Sequence, residues 1–263
     1  MKASNFDLSA YFRRIGIEAM MPRPDIETVA ALMRRQLFSV PFENLDVQAG
    51  KGVSLVPEDI ARKILFKERG GYCYEVNGLF AMALEAIGIA YRFVAARPMF
   101  YPARRPRTHM AIVATIEGVP WLCDLGFGSY GIRAPLRLDE LDVPVQQDCD
   151  TFMLSADPNG DFLVKARLDG DWVSQYGFDL SPQEWIDFHP ANYLNSTHPE
   201  AIFVQKTVVV LHRQTGRSIL VGDKLKTVED GRVEVCTIDA DSRAATLAEV
   251  FGLRLEAKAA DCA

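Results

Sequence analysis

The sequence predicts an α+β protein in about three units, because helical patterns come first, short strands follow, and a mixed segment closes the chain. The chain has 263 residues, of which 49% are hydrophobic and 24% are charged. This composition is typical of a globular protein large enough to bury a sizeable core. The pattern changes after residue 88 and again after residue 181, so the expected units are 1–88, 89–181 and 182–263. Residues 258–263 are expected to form a frayed end.

The first unit is predicted to be helical. Apolar side chains recur at a spacing of three to four residues in three segments, which are 26–38, 57–65 and 73–87. The first segment begins after the start signal Pro24-Asp25, the second opens on a proline, and the third ends at Gly88.

The second unit is predicted to consist of antiparallel hairpins, because turn pairs such as Glu117-Gly118 and Asn159-Gly160 separate short apolar runs. The predicted strands cover 91–95, 110–115, 119–122, 162–168 and 172–178. The third unit begins with a helical or irregular stretch and continues with two strands and a final helix. These segments are 182–192, 203–213, 218–221 and 242–251, respectively.

Charge and cysteine usage exclude several classes of protein. The net charge is −6, with 29 basic and 35 acidic residues, so nucleic acid is not an expected partner. No apolar run approaches the ~20 residues of a membrane span, and the first residues lack an apolar leader. Five scattered cysteines without a C-x-x-C pair indicate a reducing cytoplasm, and neither they nor the four histidines have the spacing of a metal site.

The most informative segment is Arg69-Gly70-Gly71-Tyr72-Cys73-Tyr74-Glu75-Val76-Asn77. Two glycines before a helix let the backbone turn sharply and approach a ligand closely. Cys73 falls in the first helical turn, where unpaired N–H groups and the helix dipole favour the reactive thiolate. The alternative is a small buried cysteine that follows a Gly-Gly connector. Cys73 is therefore the candidate nucleophile.

The hairpin that follows offers a base for this nucleophile. His109 lies at the start of one strand and Asp124 at the end of the next. If the turn pairs Ile116 with Val119, the two side chains share a face at a diagonal distance of about 7–8 Å. A register shifted by two residues pairs them directly, and a shift of one residue places them on opposite faces. Two of the three registers thus allow Asp124 to orient the imidazole while His109 draws the proton from Cys73. The alternative is a strand-end histidine and an unrelated turn aspartate.

At these residues the sequence resembles the arylamine N-acetyltransferase family, and the resemblance covers most of the chain. The segment around Cys73 is similar to the nucleophile motif of that family. Thr108-His109-Met110 and Trp121-Leu122-Cys123-Asp124-Leu125-Gly126-Phe127-Gly128 resemble its histidine and aspartate segments. Two further matches are Pro41-Phe42-Glu43-Asn44-Leu45, and Ser196-Thr197-His198-Pro199 followed by Phe203-Val204.

The resemblance implies a helical bundle over 1–88, an antiparallel β-barrel-like domain over 89–181 and an α/β lid over 182–263. It also implies a papain-like Cys-His-Asp core with the catalytic residues Cys73, His109 and Asp124. Acetyl-CoA would be a co-substrate rather than a permanently bound cofactor, and its acetyl group would pass through a Cys73 thioester to an aromatic amine or hydrazine. The residues expected to contact the cofactor are Thr108, Gly126, Phe127, Gly128 and Phe203. No nucleic-acid or membrane partner is expected, and the protein would be a monomer or homodimer.

Other matched residues have alternative roles. Phe127 and Phe203 are equally well explained as ordinary core residues. Four polar residues are expected to hold the nucleophile loop rather than take part in the chemistry; they are Glu43, Asn44, Arg69 and Glu75. Four arginines precede the histidine and either bind the phosphates of CoA or form a solvated loop; they are Arg97, Arg104, Arg105 and Arg107.

Three functional alternatives stay open at the level of sequence. An amide synthase or acyltransferase of the same fold would use a carrier-bound or larger acyl-CoA donor. A hydrolase with the same triad would pass the acyl group to water or to a peptide amine. A non-enzymatic binding module would keep Cys73 buried and slow to react with iodoacetamide, because a thiolate reacts fast.

Overall fold

The first third of the chain is helical. The computed structural model describes residues 1–254, so the frayed end predicted at 258–263 lies outside the described residues. The helices are α1 (Leu8–Arg14), α2 (Ile26–Ser39), α3 (Leu45–Gln48), α4 (Pro57–Ala61) and α5 (Cys73–Ala86). A short strand, β1 (Phe42–Glu43), lies between α2 and α3. The three predicted helices are confirmed, except that the second changes at Arg62 into a π-helical turn.

Helix α5 lies at the centre of the core. Every residue from Cys73 to Leu84 is buried, because the helix is largely apolar and packs against α1, α4 and the neighbouring sheet. Its first turn is capped by Glu75, whose Oε2 accepts the N–H of Tyr72 at 3.1 Å. The nucleophile candidate therefore begins a rigid, fully surrounded helix.

The middle of the chain forms an eight-stranded antiparallel sheet that curls into a half-barrel. Its strands are β2 (Ala90–Pro98), β3 (His109–Ile116), β4 (Val119–Cys123), β5 (Leu136–Arg137), β6 (Val145–Gln147), β7 (Asp150–Ala156), β8 (Phe162–Leu168) and β9 (Asp171–Phe178). Their order is β5-β4-β3-β2-β9-β8-β7-β6. The five strands predicted for this region are present, whereas β5, β6 and β7 were not predicted.

The β3–β4 hairpin adopts the first of the registers considered above. Ile116 pairs with Val119, and the ladder ends where Ile112 pairs with Cys123. The two turn residues, Glu117-Gly118, both have positive φ angles of 51° and 80°, as a tight two-residue hairpin requires. The register therefore carries the strand-end histidine and the aspartate that follows β4 to the same face of the sheet.

The last part of the chain forms most of a second sheet. Its strands are β10 (Val208–Arg213), β11 (Gly216–Val221), β12 (Lys224–Glu229) and β13 (Arg232–Thr237). The sheet order is β1-β10-β11-β12-β13, so a strand from the first third of the chain completes it. The helices of this part are a 3₁₀ turn (Trp185–Phe188), α6 (His189–Thr197), α7 (Ile202–Gln205) and α8 (Arg243–Phe251). Within residues 1–254, no helix has the length and apolar character needed to cross a membrane.

The strand predicted over 203–213 is wrong in its first part. Phe203 lies in α7, and the strand starts only at Val208. The amide of Asn44 donates to the carbonyls of Phe203 and Lys206, and it accepts the N–H of Val208. These contacts from the first third of the chain hold the short helix and determine where the strand begins.

Candidate active site

His109 and Asp124 form a buried hydrogen-bonded pair. His109 Nε2 lies 2.7 Å from Asp124 Oδ2, and the two side chains are 5% and 0% exposed. The other carboxylate oxygen accepts the side-chain amide of Asn77 at 3.0 Å and the N–H of Gly126 at 2.9 Å. Burial raises the pKa of Asp124, but His109 and these hydrogen bonds hold it below its ordinary value. The carboxylate is therefore ionised at neutral pH.

Cys73, the first residue of α5, faces this pair. Its thiol lies close enough to His109 to raise the pKa of that imidazole, and both residues line the same cavity. Because Nε2 of the imidazole is bound to Asp124, Nδ1 is the nitrogen available to the sulfur. Burial lowers the pKa of His109, but the charge and hydrogen bond of Asp124, together with Cys73, raise it to about 10. The imidazole thus favours its protonated form at neutral pH.

Asn77 is a site residue that sequence reasoning missed. Its Nδ2 donates to Met110 O at 2.7 Å as well as to Asp124, and its Oδ1 accepts the N–H of Leu125 at 2.8 Å. It lies one helical turn after Cys73 and is fully buried. A buried amide on an apolar helix, four residues after a nucleophile and on the same face, is a signal that the sequence does contain.

Tyr176 is a second residue that sequence reasoning missed. Its ring centroid lies 5.0 Å from that of His109 and 4.8 Å from that of Phe127. It comes from β9, which pairs with β2 rather than with the hairpin of the catalytic pair. No sequence signal could have found it, because its position depends on the order of strands in the sheet.

A cavity of about 250 Å³ opens beside Cys73 and His109. Its aromatic lining consists of Phe42, Phe100, Tyr101, Phe127 and Phe203. Among the polar residues that line it are Arg105, Thr108, Asn195, His198 and Glu200. A cavity of this size, with flat apolar walls around a nucleophile, suits a small aromatic substrate.

Four of the five predicted cofactor contacts line this cavity, namely Thr108, Gly126, Phe127 and Phe203. Gly128 is not among the described residues that line it. Its carbonyl instead accepts a hydrogen bond from His212 Nε2 at 2.7 Å. This contact ties the segment after Phe127 to the second sheet.

Three of the four polar residues predicted to hold the nucleophile loop, Glu43, Arg69 and Glu75, belong to one ion-pair network, whereas Asn44 binds the turn before β10. Arg69 binds Glu43 at 2.7 Å, and Lys63 binds both Glu75 and Asp46 at 2.7 Å. Burial and the nearby Glu43 raise the pKa of Glu75, and Lys63 lowers it. The net result is a pKa of about 7. The sequence analysis did not single out Lys63, which is the centre of the network.

The glycines before Cys73 serve close packing between segments. A Cβ on Gly70 would overlap the carbonyl of Pro41, and Gly71 forms a bridge to Phe42. The nucleophile loop is thereby joined to the segment that forms β1. These contacts between segments account for the Gly-Gly pair in this structure.

Of the four arginines that precede His109, Arg105 lines the cavity. Arg107 instead pairs with Asp179 at 2.7 Å, Arg97 donates to the carbonyl of Arg105, and Arg104 is exposed. Cys123 is fully buried, and burial raises the pKa of its thiol. Its neighbour in sequence, Asp124, points to the opposite side, toward His109.

Comparison with known proteins identifies the class first. Residues 25–260 match the family model described as N-acetyltransferase. This match covers most of the chain, including every residue of the site described above.

Relatives and solved structures narrow the class. An arylamine N-acetyltransferase from Mycolicibacterium smegmatis is 32% identical, with 89% of this chain and 86% of the relative covered. The structure of the Salmonella typhimurium arylamine N-acetyltransferase superposes with a TM-score of 0.89 at 29% identity, over 96% of this chain and 93% of that one. The Mycobacterium marinum enzyme in complex with CoA gives a TM-score of 0.88 at 29% identity, over 94% and 92%. The chain therefore belongs to the arylamine N-acetyltransferase family, as its motifs predict.

Proposed function

We propose that the protein transfers an acetyl group from acetyl-CoA to an aromatic amine or hydrazine through a thioester on Cys73. One observation carries the proposal: the imidazole of His109, bound to buried Asp124, faces the thiol of Cys73 beside an aromatic-lined cavity. Membership of the arylamine N-acetyltransferase family supports the donor and the class of acceptor. Acetyl-CoA is then a co-substrate, and no permanently bound cofactor is required.

The first half-reaction acetylates the enzyme. The sulfur of Cys73 attacks the acetyl carbon while His109 holds the thiol proton, and the carbonyl oxygen becomes an oxyanion. The backbone N–H of Cys73, at the start of α5, is a donor for this oxyanion. The C–S bond to CoA then breaks, and His109 passes its proton to the leaving CoA sulfur.

The second half-reaction transfers the acetyl group. The amine nitrogen attacks the thioester carbon, His109 accepts a proton from that nitrogen, and the Cys73 sulfur leaves as the thiolate. Asp124 keeps the imidazole oriented and stabilises its charged form in both halves. Acetyl-CoA and the amine occupy the same cavity in turn, so the kinetics are ping-pong.

The residues around the cavity have proposed roles in binding. We assign contact with acetyl-CoA to Thr108, Gly126, Phe127 and Phe203, which line the cavity. Gly128 keeps its predicted role only through the backbone of the same segment, since its carbonyl is bound to His212.

The three-part organisation is also a proposal. Helices dominate 1–88, the eight-stranded sheet lies within 89–181, and the remaining strands and helices follow from 182 onward, with residues 255–263 outside the described part. We infer a papain-like arrangement, because Nε2 of His109 meets the carboxylate and leaves Nδ1 for the cysteine. The free thiols of Cys73, Cys123, Cys149 and Cys236 support a cytoplasmic location. We further propose that the protein is a monomer or homodimer.

Intact-mass measurement tests the proposal. Wild-type protein mixed with acetyl-CoA should gain a single acetyl group that maps to Cys73 and disappears when anisidine is added. Cys73→Ala should gain none, whereas Cys149→Ala and Cys236→Ala, which change exposed thiols, should behave as wild type. An unmodified wild-type protein whose Cys73 still reacts quickly with iodoacetamide would overturn acetyl-CoA as donor. Malonyl-CoA, propionyl-CoA or a carrier-bound acyl chain would then be tried in its place.

A further inference from the structure

The catalytic cavity contains an arginine without an acidic partner. Arg105 lines the cavity together with Cys73 and His109. Within residues 1–254 it forms no ion pair, whereas Arg107, two residues later, is bound to Asp179 and Asp161. Its Nε–H is buried and has no hydrogen-bond acceptor among the described residues. Because no carboxylate among the described residues pairs with this half-buried guanidinium, it can bind an anionic group of a ligand in the cavity.

The side chain of Arg105 is held in place before any ligand binds. Its guanidinium carbon lies 4.6 Å from the centroid of the Tyr101 ring, and its carbonyl accepts a hydrogen bond from Arg97. A guanidinium stacked in this way loses less side-chain entropy when it binds a ligand.

Aromatic rings connect this guanidinium to the catalytic pair. The Tyr101 ring stacks on Phe100 at 4.2 Å, Phe100 contacts Phe127 at 5.7 Å, and Phe127 contacts the His109 ring at 5.2 Å. The wall from the cation to the base is therefore flat and apolar. A planar ligand with an anionic group at one end and its reacting group at the other matches this wall.

A carboxylate fits the cation better than the alternatives do. The planar fork of an arginine binds a carboxylate through two parallel hydrogen bonds. The phosphates of acetyl-CoA are separated from its thioester by the whole pantetheine arm, whereas Arg105 shares a cavity of about 250 Å³ with the nucleophile. Glu200 also lines the cavity, but it is exposed and forms no ion pair with Arg105.

We propose that Arg105 is a specificity residue that binds the carboxylate of the acceptor, so that the preferred acceptors are aromatic amines carrying a carboxylate on the ring. This inference rests on the proposed acetyl transfer and names the acceptor class for the same site.

The test compares 4-aminobenzoate with its methyl ester, which has the same ring and amine but no charge. The acetyl donor is 4-nitrophenyl acetate, which carries no phosphate, so any effect of Arg105 on CoA binding is absent. In wild type we expect a clear preference for 4-aminobenzoate. Arg105→Gln should lower kcat/KM for 4-aminobenzoate by about 10- to 100-fold and leave the ester within about twofold. Arg104→Gln, which changes an exposed neighbour, should leave both unchanged.

Two results would overturn the inference. Equal losses for both acceptors would mean that Arg105 only shapes the cavity. In the second result, Arg105→Gln keeps the wild-type preference for 4-aminobenzoate over its ester with 4-nitrophenyl acetate as donor, but has a raised KM for acetyl-CoA. Arg105 would then bind the phosphates of the donor. Titration calorimetry of 4-aminobenzoate with the unacetylated proteins keeps the test independent of transfer. If wild type binds 4-aminobenzoate, Arg105→Gln binds it more weakly, and neither protein transfers an acetyl group, the carboxylate site stands. The proposed function is then the part that is overturned.

Discussion

Gly126 packs directly on Cys73. A Cβ placed on this glycine would lie 2.5 Å from the Cα of Cys73 and 2.9 Å from its Cβ. The backbone that follows Asp124 therefore touches the nucleophile residue with no side chain between them. The absence of a methyl group at this position allows α5 and the hairpin to pack this closely. It thereby sets the position of His109 and Asp124 relative to the thiol of Cys73.

Gly126→Ala should separate the nucleophile from its base. The added methyl group must displace the backbone of Cys73, so we expect a loss of about 1–3 kcal/mol in the free energy of unfolding. Acetylation of Cys73 should slow by more than tenfold, because a displacement of about 1 Å at a reacting group costs about 10²-fold. Denaturant unfolding and the rate of acetylation check the two effects. Gly52→Ala is the matched control, since nothing lies within 4 Å of a Cβ there. A variant at Gly126 with wild-type acetylation would contradict the role given to this contact.

Asn77→Ala should weaken both the fold and the catalytic pair. The substitution leaves the carbonyl of Met110 and the N–H of Leu125 buried without a partner, which costs about 1–3 kcal/mol. It also removes a donor to Asp124, so kcat should fall while the KM for acetyl-CoA changes little. Steady-state kinetics and thermal unfolding measure these effects. Asn159→Ala, in an exposed turn, is the control. If the two variants have the same kcat and the same thermal stability, Asn77 has no role in the site.

Asp124→Asn should return the titration of His109 toward its ordinary range. Without the carboxylate, burial still lowers the pKa of the imidazole and only Cys73 still raises it, so the pKa should fall from about 10 toward its ordinary range. The rate constant kcat should fall by about 10²- to 10⁴-fold, because the imidazolium loses its stabilising charge. Histidine-selective NMR across pH 5 to 11 follows the titration. A wild-type midpoint near 6.5 would contradict the assignment.

The same pair predicts how stability depends on pH. The pKa of His109 is higher in the folded protein, at about 10, than in the unfolded chain, at about 6.5. Its contribution to stability is therefore complete below pH 6.5 and is lost as the pH rises through 10. The difference in unfolding free energy between wild type and Asp124→Asn should therefore become smaller as the pH rises from 6.5 to 10. A constant difference from pH 6.5 to 10 would show that the pairing does not contribute in this way.

Lys63→Met should destabilise the protein by removing the cation shared by Glu75, Glu43 and Asp46. Breaking a buried ion pair in this way costs about 3–5 kcal/mol. The pKa of Glu75, already about 7, should rise further because Lys63 lowers it more than the backbone N–H of Tyr72 does. Chemical denaturation at pH 6 and pH 8 measures the loss. The double variant Lys63→Met with Glu75→Gln should recover part of the stability, and no recovery would mean that Lys63 acts through packing alone.

The features that the sequence predicts well are local ones. Helix α2 starts after Asp25, whose side chain accepts the N–H of Thr28, and the hairpin turn at Glu117-Gly118 has the backbone geometry that this pair favours. Strands β12 and β13 were not predicted, although Arg232-Val233-Glu234-Val235 alternates as a strand does; all side chains of β13 are exposed. The start of β10 was misplaced because Asn44, far away in the chain, holds the helical turn before it.

The sequence by itself determined the α+β class and the family, and it identified the candidate nucleophile Cys73 and the candidate pair His109 and Asp124, because each depends on neighbouring residues or on a motif. Only the tertiary structure decided which hairpin register is realised and that Asn77 and Tyr176 complete the site. It also decided that Arg105, and none of its three neighbouring arginines, lines the cavity. The physical reason is that helix starts and turns depend on local backbone preferences. Convergence of side chains on one cavity depends instead on strand order and packing between segments that are distant in sequence.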